Sequence, residues 1–260
     1  MADDVLVKAA LRKTRAAKTG RYVVEGSTVL TAGAVTVRRA GEYDVAAGRA
    51  STDSTFIPDP PDLLRAITGK DVNAADLRST SVVTTTKAYL NMPAWPAAFR
   101  GRWLAFDAGD IEQATGVAAD FESAVFPPML DMLRHASPST TADNDPAVAH
   151  VAVPAGYALL ALPSSSTRKM VAAGLDLENL GEEVAVEVRV VDGLIASVSF
   201  DAKDAYAAAA AEIGTAAAAD QISALPTSIE VTGHGKPVTI TVPPPSKILT
   251  KEEFERLPRG

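Results

Sequence analysis

The chain has 260 residues, 47% of them hydrophobic, and a net charge of −7, enough for one large domain or two small ones with a sizeable core. The acidic balance excludes the clustered Lys and Arg surface that nucleic acid requires and offers no polybasic patch for anionic lipid heads. The absence of cysteine excludes disulfides, thiol nucleophiles and Cys-ligated zinc, and with aromatics at 5% the core must be built mainly from Ala, Val and Leu.

Asp3 to Thr19 reads as a helix, with Asp3 or Asp4 capping its start, basic residues near its end, and an apolar stripe of Val5, Leu6, Ala9, Ala10, Ala16 and Ala17. Gly20 is its expected stop. Arg21 to Leu30, Ala34 to Tyr43 and Ala46 to Phe56 read as a meander of three antiparallel strands, with Arg38, Arg39, Glu42 and Asp44 on a solvated face. Pro58, Pro60 and Pro61 end that sheet. Asp62 can cap a short helix, Leu63 to Thr68, which fits either a lid or a satellite core contact.

The stretch TSVVTTTKAYLNMPAWPAAFRGRWLAFD, Thr80 to Asp107, reads as three further strands: Thr80 to Thr85, Lys87 to Met92, and Gly101 to Asp107. Alternation in the third puts Trp103, Ala105 and Asp107 on one face and Arg102, Leu104 and Phe106 on the other. Pro93 and Pro96 belong in the link. Asp110 to His135 reads as a helix split at Pro127-Pro128, with Met129, Leu130, Met132 and Leu133 as a stripe at helical spacing. Methionines in such a stripe are core filler or the adaptable lining of an apolar pocket.

Ala136 to Pro146 is a polar loop whose Asp143 and Asp145 lack the remaining ligands of a calcium loop. Ala147 to Leu162 is expected to form two strands, or one with a bulge, and Ser164 to Gly174 a short helix. Glu182 to Val191 alternates, with Val184, Val186, Val188 and Val190 towards a core and Glu183, Glu187 and Arg189 towards water. Asp192-Gly193 is a type I′ hairpin signal, and Leu194 to Phe200 returns. Ala205 to Ala219 is helix-prone but weakened by Gly214. Leu225 to Thr232 and Pro237 to Val242 are expected to form a last hairpin, with His234 solvent-facing in its turn. Thr250 and Glu253 make a capping box for a final helical turn.

These elements, in this order, resemble actinobacterial cell-envelope lipoproteins of the LppX/LprG type, which share the LolA-like fold. The features that carry the resemblance are the tyrosine of KAYLNMP, the tryptophan of GRWLAFD, the helix FPPMLDMLRHA, the segment AGYALLAL, the pair EVAVEVRVVDGLIASVSF and the closing VPPPSKI. The likeness covers nearly the whole chain through element order and aromatic placement.

It implies an α+β fold in a single domain, residues 1–260. A large curved antiparallel sheet, an incomplete β-barrel, would carry several short helices on its concave face, with acyl chains held between. The site expected from it is apolar: Val37, Tyr43, Phe56, Leu64, Tyr89, Trp103, Phe106, Phe126, Met129 and Met132, with Val24 nearby.

The partner would be a lipid or other apolar small molecule, with no cofactor, no metal and no nucleic acid, and the protein a monomer. The family starts with a signal peptide and a lipidated cysteine. Neither is in this sequence, so the location expected is extracytoplasmic, on the cell envelope, with membrane association only through an anchor removed from this chain. The alternative is a protein-interaction or structural envelope module with the same sheet and a filled core.

No catalytic signature stands out. Ser164, Ser165 and Ser166 lack a GxSxG elbow, His135, His150 and His234 form no HxxxH pair, and paired carboxylates such as Asp107 and Asp110 could serve glycoside chemistry, although acidic pairs on loops are usually solvated. A non-enzyme is expected.

Overall fold

The protein is described here from a computed structural model that covers residues 2–69, 71–107, 109, 110, 124–139, 145, 147–162, 175 and 180–255. Helix α1 (Asp3–Ala16) leads into a meander of six strands: β1 (Thr19–Leu30), β2 (Gly33–Asp44), β3 (Arg49–Asp59), β4 (Ser79–Thr84), β5 (Ala88–Asn91) and β6 (Leu104–Phe106). Helix α2 (Leu63–Thr68) lies between β3 and β4 and packs on β2 and β3. Then follow α3 (Pro128–Asp131), continued as a 3₁₀ turn at Met132–His135, β7 (Ser137–Pro138), β8 (Val148–Pro154) and α4 (Ala155–Ala161). The last part holds β9 (Glu183–Val191), β10 (Leu194–Asp201), α5 (Lys203–Glu212), α6 (Ala216–Ala219), β11 (Ile222–Ala224), β12 (Pro226–Thr232) and α7 (Lys251–Glu255).

The strands form one antiparallel sheet in the order β6-β5-β4-β3-β2-β1-β12-β10-β9-β8-β7, with β11 beside the end of β1. The two ends, β6 and β7, do not pair with each other, so this large curved sheet stays unclosed. Its centre is long and regular. β1 and β2 pair without interruption from Thr19 opposite Asp44 to Leu30 opposite Gly33. Cross-strand partners in such a ladder point to the same face, so the register assigns every strand residue to one side.

One face is covered by helices. Val24, Ile229, Val198, Val188 and Ala149 are successive partners across β1, β12, β10, β9 and β8, and all are buried. They meet α1 through Val7, Ala10 and Leu11, α3 and its 3₁₀ turn through Met129, Leu130, Met132 and Leu133, α4 through Ala158 and Leu159, and α5 through Ala209. The alanine-rich helices suit this role because their thin sides bring their backbones close to the sheet.

Several local expectations hold. Asp192 and Gly193 both have positive φ, 53° and 72°, as a type I′ turn requires. β9 alternates buried valines with exposed charged residues at the expected positions. Pro128 opens α3. Thr250 and Glu253 exchange hydrogen bonds, Thr250 N–H to Glu253 Oε2 at 2.8 Å and Glu253 N–H to Thr250 Oγ1 at 3.2 Å. Gly214, at φ 73°, ends the alanine-rich helix and separates α5 from α6.

Other expectations are corrected. Ala155 to Ala161 is a helix, not strand, because Pro154 ends β8 and AGYALLA has high helix propensity; buried on most sides, it shows no period to read. Pro237 to Val242 forms no strand. β12 already has β1 on one side and β10 on the other, so no ladder position is left for it. Of Gly101 to Asp107 only Leu104–Phe106 is strand; Trp103 instead makes a parallel bridge with Ile248. Helix α1 stops before Lys18, which takes φ 66°, and Gly20 lies within β1. No side chain caps α1 or α2; Asp3 Oδ2 accepts from His150 N–H instead. The helices expected over 111–123 and at Ser164 to Gly174 lie outside the described residues.

The buried stripe of α1 is Val7, Ala10, Leu11 and Thr14, while Val5 is 49% exposed. Thr14 belongs to the stripe for a specific reason. The β9–β10 register shifts between Ile195 and Ser197, and β12 pairs with β10 only from Ser197 onward. Thr14 Oγ1 accepts from Ile195 N–H at 2.9 Å, and His234 Nε2 contacts Ile195 O at 3.0 Å. A buried hydroxyl and a ring nitrogen thus serve backbone groups beyond the β12 pairing. His234 is therefore part-buried, not solvent-facing, and burial lowers its pKa while the bond to Ile195 O raises it. Nε2 is the donor in this contact, which assigns the tautomer.

Candidate apolar site on the helix-covered face

Tyr22 pairs with Gly41, and Gly20 pairs with Tyr43. Each tyrosine ring therefore lies on the helix-covered face over a glycine of the neighbouring strand. A Cβ on Gly41 would come within 2.5 Å of the Tyr22 ring, and one on Gly20 within 2.6 Å of the Tyr43 hydroxyl. The ring centroids are 6.4 Å apart. Phe126 and Tyr43 meet edge to face, with centroids 5.5 Å apart, and the Arg15 guanidinium sits over the Phe126 ring at 5.4 Å. Tyr22 shares a hydrogen bond with Thr52 Oγ1 at 2.6 Å. The Tyr43 hydroxyl is buried without a hydrogen-bond partner, and burial pushes its pKa up to about 12.

This aromatic group divides the covered face in two. On the β12–β8 side the sheet is filled, with Ile229, Val198, Val188 and Ala149 at zero exposure. On the β2–β3 side Tyr43 and its partner Ala50 are buried, but further along the same face the apolar residues are only half-buried: Val37 opposite Phe56, and Val35 opposite Pro58.

The ten residues expected to line a pocket are distributed accordingly. Tyr43, Phe126, Met129 and Met132 are fully buried and packed in the main core. Val37 and Phe56 lie on the half-covered part of the same face. Leu64 is buried on α2, against β2 and β3. Phe106 is on the helix-covered face too, since the register runs Tyr43, Ala50, Val83, Ala88, Phe106; it packs near Trp95, Leu104 and Leu249. Tyr89 and Trp103 lie on the outer face. There they pack with Val82, Val238, Ile240 and Ile248 beneath the C-terminal segment. The alternation of β6 was legible, but which of its two faces met the helices was not.

One residue expected on the solvated face is on the covered one. Arg38 is outside, paired with Glu25 at 3.3 Å, whereas Arg39 is the cross-strand partner of Val24 and Ser54, and Ser54 the partner of Ser79. Thr52 and Ser81 form the adjacent row. Period-two alternation in VTVRRAGEYD requires one of two consecutive arginines to face inward, and the register with β1 makes it Arg39.

The candidate carboxylates Asp107 and Asp110 are tied up locally: each accepts a hydrogen bond from the other's backbone N–H, at 2.9 and 3.0 Å. Among the described residues no cluster of His, Asp and Glu could hold a metal ion, and no helix is long and apolar enough to cross a membrane. An open depression of about 520 Å³ on the outer face is bordered by Glu25, Ser228, Ser199, Glu187 and His150, successive partners across five strands. It includes none of the ten residues.

No protein-family model and no curated protein matches the chain. Solved structures do. LprF from Mycobacterium bovis is similar at 10% identity and a TM-score of 0.50, over 93% of this chain and 96% of that one. The Mycobacterium tuberculosis lipoprotein LppX matches at 9% identity and a TM-score of 0.44, over 92% of this chain and 98% of that one. The resemblance to the LppX/LprG type is thus shown in the architecture: this chain has the LprF fold, an unclosed, curved antiparallel sheet with several short helices.

Proposed function

We propose that the protein binds a lipid or other apolar ligand, without catalysis, between the sheet and its helices, as a carrier or sensor of the cell envelope. The observation that carries this reading is the contrast along one face of one sheet. On the β12–β8 side Ile229, Val198, Val188 and Ala149 are at zero exposure, whereas Val37 and Phe56, on the same face, are only half-buried. Apolar surface left in that state gains about 0.8 kcal/mol for each methylene that an acyl chain buries against it. The site is then centred on Val37, Phe56 and Leu64 and extends towards Phe106, with Tyr43, Phe126, Met129 and Met132 as its packed wall. The likeness of the fold to LprF and the resemblance to the LppX/LprG type support a place on the cell envelope for this binding.

The tight packing of Phe126, Met129 and Met132 favours a second reading, an interaction module with a filled core. Native mass spectrometry separates the two. The ligand reading expects a co-purifying species of lipid mass, or uptake of one added apolar probe per chain, lost in Val37→Asp/Phe56→Asp. Protein of bare chain mass that takes up no probe would leave the filled module.

A further inference from the structure

We infer that His234 makes an acid-sensitive clasp of the corner where α1, the β9–β10 hairpin and the root of the C-terminal segment meet, closed while its ring is neutral and opened by protonation. The inference stands apart from the ligand reading. The corner is built on Ile195, which is fully buried. The β9–β10 register is irregular between Ile195 and Ser197, and β12 reaches β10 only at Ser197. Two side chains from distant parts of the chain therefore serve Ile195. Thr14, near the end of α1, accepts from its N–H, and His234 Nε2 donates to its carbonyl. The turn that carries His234 is bound to β1 by Gly235 N–H to Thr19 O at 3.0 Å and by Thr19 Oγ1 to Lys236 O at 2.9 Å. Its bond across to β10 is the one that His234 makes.

The site suits a ring with one proton and not two. With the proton of Nε2 in the bond to Ile195 O, Nδ1 is left as an acceptor, and it is buried without a hydrogen-bond partner. A neutral ring tolerates that. A protonated ring carries a second N–H, and part of a positive charge, at a buried atom where no group accepts. Protonation strengthens the bond to Ile195 O, but burial acts the other way and is the larger influence. The charged groups of the surrounding elements bring no relief. Lys13 on α1 donates to Asp192 O at the hairpin tip, Lys18 follows α1, Arg21 on β1 lies beside Gly233 and pairs with Glu42, and the turn itself carries Lys236. Arg189 of β9 and Glu230 of β12 are the outer-face partners of Ser197. Neither Asp192 nor Glu42 reaches Nδ1. Swinging the ring into water relieves the charge but abandons the Ile195 carbonyl, so the corner that also holds Thr14 loosens. The folded ring titrates below the ordinary value of 6.5, so the clasp is complete above pH 6.5 and is lost as pH falls through the folded value.

The test is hydrogen–deuterium exchange of the whole protein at pH 7.5 and pH 5.0, corrected for the intrinsic rate at each pH. His234→Gln is measured alongside, since glutamine keeps a donor and takes up no proton. In the unaltered chain, protection of the segments 11–18, 194–197 and 232–237 should fall about 5-fold on acidification, and in His234→Gln it should hardly change. Unchanged protection in the unaltered chain overturns the clasp. Equal loss in both proteins overturns it too, because acid then acts elsewhere. A second measurement needs no change at the clasp. The ring signals of the three histidines are titrated by NMR, with His135→Gln and His150→Gln to assign the other two. His234 should titrate below 6.5, and a value at or above 6.5 overturns the inference even if His234→Gln fails to fold.

Discussion

Two side chains show how much one polar atom decides in this molecule. Thr14 occupies a position that hydrophobic patterning would assign to leucine or alanine, and its hydroxyl accepts from the buried N–H of Ile195. Thr14→Val keeps the shape and removes the acceptor, so it should cost roughly 1–3 kcal/mol, the desolvation of an unserved buried donor; urea denaturation reads this as a lower midpoint at unchanged slope. The Tyr43 hydroxyl is the opposite case, buried with no partner. Tyr43→Phe should therefore raise stability by about 1 kcal/mol. The pH dependence follows in sign. The folded pKa lies near 12 and the unfolded value near 10, so the contribution of the neutral phenol is present below pH 10 and is lost as pH rises from 10 to 12. The loss amounts to roughly 2–3 kcal/mol. Thermal melts over that range should fall less steeply for Tyr43→Phe than for the unaltered chain, and identical slopes would contradict the assignment.

At the scale of elements, the β1–β2 ladder is held by reciprocal pairs of tyrosine and glycine. A ring laid over the glycine opposite restores the packing that a missing side chain forfeits, and it pins the register, because a one-residue slip would carry both rings to the outer face. Gly20 is the cleaner probe of the two, since its nearest neighbours are all atoms of the Tyr43 side chain, whereas a Cβ at Gly41 would also strike the Ser51 carbonyl. Gly20→Ala should cost about 1–3 kcal/mol through displacement of the ring. In a Tyr43→Ala background the same change should cost close to nothing. A double-mutant cycle that gave strictly additive effects would mean that the ring and the glycine are not coupled.

On the scale of the whole molecule, the C-terminal segment acts as a strap. After β12 it crosses the outer face, sets Val238, Ile240 and Val242 against Val82 and Tyr89, and bonds both backbone groups of Trp103, through Lys247 O and Leu249 N–H, each at 2.8 Å. Its last helix, α7, is tied back where Glu253 meets Arg102 at 2.9 Å. The strap continues the ladder beyond the three-residue edge strand β6 and covers an aromatic patch that would otherwise face water, the usual hazard of an open sheet edge. Ending the chain after Gly235 should shift tryptophan emission to the red through exposure of Trp103 and Trp95, lower the melting temperature, and promote self-association visible by light scattering. Unchanged emission would mean that the strap does not shield these rings.

The sequence by itself determined what acts over a few residues. The alternation of β9, the Asp192-Gly193 turn, the proline that opens α3 and the capping box at Thr250 all depend on neighbours in the chain, whereas the unclosed sheet was implied only by the family resemblance. Only the tertiary structure decided which face each residue took. Val37 and Phe56 came to the helix-covered side, Tyr89 and Trp103 went beneath the strap, and Arg39 turned inward while Arg38 stayed out. The physical reason is that alternation defines two faces without labelling them. The label comes from register with partners far along the chain, and from which face a helix or a strap of the same molecule comes to cover.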